Sequence, residues 1–83
     1  MNKKISHSGN IITYGKYAVT IQDNYNNQYY CPYENLDTAI YNLITEPFVK
    51  IPVSFNINYN KTSGKTNYGP RYYAYDVILE YVF

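Results

Sequence analysis

The chain has 83 residues, a formal net charge of +1, a single cysteine and no tryptophan. That describes one small domain with no internal disulfide, carrying too little charge to be drawn to nucleic acid or to an anionic membrane by electrostatics alone. No apolar run approaches the ~20 residues that span a bilayer, so no membrane association is expected. The lone thiol, and a basic start with no apolar segment behind it, point to an intracellular protein without a secretory leader.

Tyrosine is the outlier: there are 13, against three phenylalanines. A core of this size cannot hide so many phenols with every hydroxyl bonded, so several are expected at the surface. A coding bias toward Asn, Ile, Lys and Tyr accounts for their number but not for what the exposed ones do.

Residues 1–8, MNKKISHS, are polar and aperiodic and read as a flexible N terminus, with residues 9–83 as one domain. Residues 10–14, NIITY, are rich in β-branched side chains and predict the first strand, which Gly15 ends as a bulge or tight turn. Residues 16–22 alternate, placing Tyr17, Val19 and Ile21 on a buried face. Residues 28–33 repeat the alternation more loosely. Between these strands, Asp23, Asn24, Asn26 and Asn27 carry turn chemistry, since such side chains bond their own backbone and tolerate left-handed angles.

Residues 35–46 place Leu36, Ala39, Ile40, Leu43 and Ile44 at helical spacing. They predict a helix capped by Asn35 or Asp37, stopped by Pro47, and packed on a sheet. Residues 51–59 predict a strand with Val53, Phe55, Ile57 and Tyr59 on one face and Ser54, Asn56 and Asn58 on the other. Residues 61–69 read as a polar loop, and residues 70–83 as the last strand, with Pro70 confined to its start.

The order is thus β-β-β-α-β-β, mainly β with one helix, which is the order of a small five-stranded OB-like barrel. The rival architecture is an α+β fold, an open antiparallel sheet with one helix packed on a face.

Several of these segments also resemble cold-shock domains. Gly9 leads the first strand toward an aromatic residue, Tyr14. Gly15-Lys16-Tyr17-Ala18-Val19-Thr20-Ile21 is similar to that family's Lys-Gly-Phe-Gly-Phe-Ile strand. Tyr29-Tyr30-Cys31-Pro32-Tyr33 stands where the family has Val-Phe-Val-His-Phe, and Val53-Ser54-Phe55 and Gly69-Pro70-Arg71 follow in the family's order. Val19 replaces an aromatic and Pro32 a histidine. The resemblance, spanning the chain from Gly9 onward, implies a divergent cold-shock-like OB domain that binds single-stranded DNA or RNA.

Catalytic signals are poor. His7 is the single histidine and lies in the terminal segment, and Cys31 has no histidine or second cysteine to work with, so no catalytic residue, metal site or cofactor is expected. Asp76 and Glu80 share a strand but lie roughly 13 Å apart, too far for a paired acid and base. Thr62-Ser63-Gly64-Lys65-Thr66 echoes the end of a phosphate-binding loop, but Tyr59 occupies the position of the required leading glycine and no helix follows.

What remains is aromatic and basic. On a barrel, Tyr14, Tyr17, Tyr30 and Tyr33 would form a stacking platform, with Lys16, Lys61, Lys65 and Arg71 at the phosphates. The expected function is binding of single-stranded DNA or RNA without catalysis. The alternative is a small virus- or plasmid-encoded inhibitor or adaptor that meets a protein partner through tyrosines. Either a monomer or a homodimer suits both readings.

Overall fold

The computed structural model describes residues 7–44 and 50–80. Five strands form a closed barrel: β1 (His7–Tyr14), β2 (Ala18–Gln22), β3 (Gln28–Pro32), β4 (Ile51–Thr66) and β5 (Gly69–Leu79). Around the barrel the order is β1-β2-β3-β5-β4, with β4 returning to β1. All pairings are antiparallel except β3 with β5, which run parallel through Tyr29↔Tyr72 and Tyr30↔Tyr73. A 3-10 turn (Tyr33–Asn35) and one turn of helix, α1 (Thr38–Tyr41), lie between β3 and β4. The fold is a small OB-like barrel, mainly β with one short helix.

Closure depends on β1, which pairs with β4 through residues 7–11 and with β2 through residues 10–14. It changes partner at a bulge between Ile11 and Thr13. Gly9 sits where β1 is squeezed between its neighbours: a Cβ there would lie 2.8 Å from the Gln22 carbonyl oxygen and 3.1 Å from Ile21 Cγ2. A side chain cannot be fitted without moving backbone.

The inward positions of every strand meet in one core, including Ile11, Val19, Ile21, Cys31, Val53 and Phe55. Tyr29 packs on Phe55 with ring centroids 4.9 Å apart. Its hydroxyl leaves the core to donate to Asp23 Oδ2 at 2.9 Å. The β2–β3 turn is organised by that same carboxylate, whose Oδ1 accepts from the backbone N–H of Tyr25 and of Asn27 at 2.9 and 3.0 Å. Asn26 takes φ +70, the left-handed angle expected of an asparagine in this turn. Desolvation alone would raise the Asp23 carboxyl, but these hydrogen bonds outweigh it and hold the group below its ordinary 3.8.

The structure departs from the sequence pattern at several places, each for a local reason. His7 and Ser8, expected in the flexible terminus, belong to β1 and pair with Phe55 and Ser54; residues 1–6 lie outside the described residues. Tyr17, expected on a buried face, is 71% exposed, because the turn closed by the Gly15 N–H on the Ala18 carbonyl delays β2 until Ala18.

The helix expected over residues 35–46 is one turn. Leu36 is extended and bridges Val77, and the Asp37 N–H donates to the Val77 carbonyl at 3.0 Å. The backbone there is committed to β5, so the helix cannot start before Thr38. Leu36 and Ile40 are buried as the stripe requires, but Ala39 is exposed and Leu43 is 46% exposed. Asp37 holds the N-cap position without a side-chain cap bond, and Glu46 and Pro47 lie outside the described residues.

The polar loop expected over residues 61–69 is strand for most of its length. β4 continues to Thr66 and pairs with β5 through Thr62↔Tyr72, Lys65↔Pro70 and Thr66↔Gly69. Asn56, expected on the outward face, is buried at 8% exposure. Opposite it, β5 carries one extra residue between Tyr75 and Ile78, with Asp76 at φ +51. That bulge resets the alternation, so Ala74 and Val77 both point inward. Pro70 stands near the start of β5, as expected, and residues 81–83 lie outside the described residues.

Candidate functional site

On β3 the buried residues are Tyr29 and Cys31, which turns Tyr30 to the outer face. On β5 Ala74 is inside and Tyr72 packs against the core, which turns Arg71, Tyr73 and Tyr75 outward. The parallel pairing Tyr30↔Tyr73 then sets two phenol rings side by side, centroids 4.9 Å apart and tilted by 57°. Thr20 of β2 pairs with Tyr30, and Asn58 of β4 pairs with Tyr73. The aromatic pair therefore stands at the centre of a row crossing four strands.

Two cations flank it. Lys61 Nζ lies 4.5 Å from the Tyr73 ring centroid, and Arg71 Cζ lies 5.3 Å from that of Tyr30. Lys61 gets there through a bulge: Asn58 pairs with Tyr73 and Thr62 with Tyr72, leaving residues 59–61 opposite no residue of β5. The Asn60 N–H donates to Asn58 Oδ1 at 3.0 Å within that bulge. Arg71 is fixed from β4, its Nε donating to the Ser63 carbonyl at 2.8 Å.

Of the eight residues expected to form one platform, Tyr30, Lys61 and Arg71 come together. Tyr14, Lys16, Tyr17 and Tyr33 make a separate group around the β1–β2 turn. The Tyr33 N–H donates to the Tyr17 carbonyl at 3.2 Å, and the Tyr33 hydroxyl donates to the Gly15 carbonyl. Tyr33 also meets Tyr41 edge-on at 5.2 Å, and burial first, then Tyr41, raises its hydroxyl pKa. Tyr33 is a packing residue that braces the turn. Lys16 Nζ sits 5.4 Å from the Tyr17 centroid. Thr20 is three residue steps along the chain from Tyr17, so this group begins about 10 Å from the Tyr30–Tyr73 pair. Lys65 pairs with Pro70, farther out on the hairpin, and among the described residues it makes no ring contact.

Tyr73 is the residue that sequence reasoning missed. The alternation Arg71, Tyr73, Tyr75 put it on one face with a chosen residue, but only the pairing of β3 with β5 shows which tyrosine it joins.

Elsewhere the chemistry is quiet. Burial pushes the Cys31 thiol up to about 12, and its side chain is fully enclosed. Among the described residues no group of three His, Cys, Asp or Glu side chains could hold a metal ion. No described helix is long and apolar enough to cross a membrane. An open groove of about 670 Å³ runs between the α1 region and the β4–β5 pair, lined by Glu34, Asp37 and Asp76 among others. Its carboxylates disfavour phosphate.

The chain matches no protein-family model, no curated protein and no solved structure.

Proposed function

We propose that the protein binds single-stranded nucleic acid on the outer face of β3 and β5, without catalysis. Bases stack on the Tyr30–Tyr73 pair and on the guanidinium plane that covers Tyr30, while Lys61 and Arg71 meet phosphates. The observation that carries this reading is the tilted pair of phenols flanked by a lysine and an arginine. Stacking tolerates any base and contributes about 1–3 kcal/mol per base, so a net charge of +1 is compatible with it.

A divergent cold-shock-like identity is part of the same proposal. The barrel is compatible with it, and the site would lie one strand over from where the sequence put it. Val19, aligned with an aromatic of that family, is inside the barrel, and Tyr73 of β5 supplies the second ring instead. Such a protein would act inside the cell.

The test is fluorescence anisotropy of labelled single-stranded DNA and RNA at two salt concentrations, with Tyr73→Ala as the control. Micromolar or tighter binding with shallow salt dependence, weakened about tenfold by Tyr73→Ala, supports the reading. Binding unchanged in Tyr73→Ala removes the platform.

A protein partner is the second reading, favoured by Tyr41, which stands exposed and edge-on to Tyr33, and by Leu43, exposed two residues further on; among the described residues no cation lies over the Tyr41 ring. A homodimer built on β5 is disfavoured, because β3 and β4 already flank that strand. Light scattering tests self-association, and Leu43→Ser should abolish any dimer formed at this end.

A further inference from the structure

Lys61 and Arg71 both cover ring faces that a stacked base would use, but they are held there differently. The Arg71 guanidinium is tethered through Nε to the Ser63 carbonyl. The Lys61 ammonium makes no hydrogen bond or ion pair among the described residues; it rests on Tyr73 alone, at the end of a bulged segment. Tyr73 is half-buried, but Lys61 itself is exposed; a cation held on the water side of a ring is worth a factor of about two to five, and a stacked base a factor of about five to a hundred or more. A base arriving at Tyr73 therefore displaces the ammonium, which then needs a new counter-charge.

Resting on the stacking reading above, we infer that Lys61 is a selectivity gate. It covers Tyr73 in the free protein and yields the ring to a base that carries a phosphate beside it. The displaced ammonium moves from ring to phosphate, while Arg71 stays in place as a fixed second contact. The ligand class is a phosphodiester strand. Nucleosides, and neutral-backbone strands carrying the same bases, meet the cost of uncovering Tyr73 with nothing to receive the ammonium.

The experiment uses the full chain and two labelled probes of one sequence and length, a phosphodiester oligothymidine and its methylphosphonate counterpart, followed by anisotropy. The parent protein should favour the charged strand by about tenfold or more. Lys61→Ala should weaken the charged strand several-fold and tighten the neutral strand by about two- to fivefold. As a second readout, the Lys61 side-chain methylene protons should be shifted by the Tyr73 ring current in the free protein and should lose that shift on saturation with the charged strand. If the charged strand binds but the shift persists, or if Lys61→Ala fails to tighten the neutral strand, Lys61 is a plain phosphate contact. The gate then falls while the stacking platform stands. Failure of both probes to bind the parent protein overturns the gate together with the reading it rests on.

Discussion

Replacing Gly9 with alanine tests how the barrel closes. The new Cβ would meet the Gln22 carbonyl oxygen at 2.8 Å, where carbon–oxygen contacts ordinarily begin near about 3.3 Å. The shortfall is about half an ångström, and the obstacle is backbone of β2 rather than the end of a flexible side chain. Ile21 Cγ2, at 3.1 Å, blocks the neighbouring direction and belongs to a fully buried residue. Overpacking of this kind costs about 1–3 kcal/mol. Gly→Ala returns about 0.4–1 kcal/mol by restricting the unfolded chain. The net loss is about 1–2 kcal/mol, which for a domain of this size lowers Tm by roughly 5–15 °C. Gly15→Ala is the internal control, because the nearest atom to its Cβ, the Ala18 carbonyl oxygen, is 3.7 Å away, an ordinary contact. It should stay within about 0.5 kcal/mol of the parent. Thermal and urea unfolding followed by far-UV circular dichroism reads both variants. A Gly9→Ala protein as stable as the parent, or less affected than Gly15→Ala, would refute the crossing of β1 between β4 and β2.

The other expectations concern the helical turn and two titrating groups. Ile40→Asp places an unpaired charge in a site with no exposure and should unfold the domain at room temperature, whereas Leu43→Asp, at a position 46% exposed, should move Tm by only a few degrees; equal effects would contradict the single helical turn. Asp23 has its pKa lowered in the folded state, so its stabilisation is complete above the ordinary value of 3.8 and is lost as pH falls through the lower folded value. Asp23→Asn should therefore flatten the acid limb of the stability profile below about pH 4, and an unchanged limb would remove Asp23 as its source. Cys31 has its pKa raised from 9.0 to about 12, so its contribution holds below pH 9 and fades as pH climbs toward 12. A thiol reagent at neutral pH should leave the native protein unmodified and label it in urea; rapid native labelling would place Cys31 outside the core.

The β2–β3 hairpin was legible in the sequence because its information is local. Val19, Ile21, Tyr29 and Cys31 alternate with outward-facing neighbours, and the turn is made by the Asp23 side chain and the left-handed backbone of Asn26. The order β-β-β-α-β-β also follows from local patterns, but it suits an open antiparallel sheet as well as a barrel, and only the pairings that close β4 on β1 decide between them. What failed depended on distant partners. Leu36 fits a helical stripe, but its backbone is captured by Val77, 41 positions along the chain. The outer half of β4 has no apolar alternation, because it extends past the core, and only pairing with β5 makes it a strand. The extra residue at Asp76, which reverses the face of everything after it, leaves no mark in composition. The candidate site divides the same way. Tyr30, Lys61 and Arg71 were visible as an aromatic with nearby cations, while Tyr73 entered through a parallel pairing that no local pattern encodes. Tyr17 and Tyr33 join Tyr30 in the sequence reading because an OB barrel presents its second and third strands, but the pairing of β2 with β3 separates them by distance along the strands.

The most direct test of the central claim is a titration of isotope-labelled protein with a short single-stranded oligonucleotide, followed residue by residue through backbone amide shifts. If the Tyr30–Tyr73 face is the binding surface, the largest shifts will fall on Thr20, Tyr30, Arg71, Tyr73, Asn58 and Lys61, with Tyr41, Leu43 and the Glu34–Asp37–Asp76 groove unmoved. Shifts centred on Tyr41 and Leu43, or on that groove, with the Tyr30–Tyr73 row unchanged, would contradict the account.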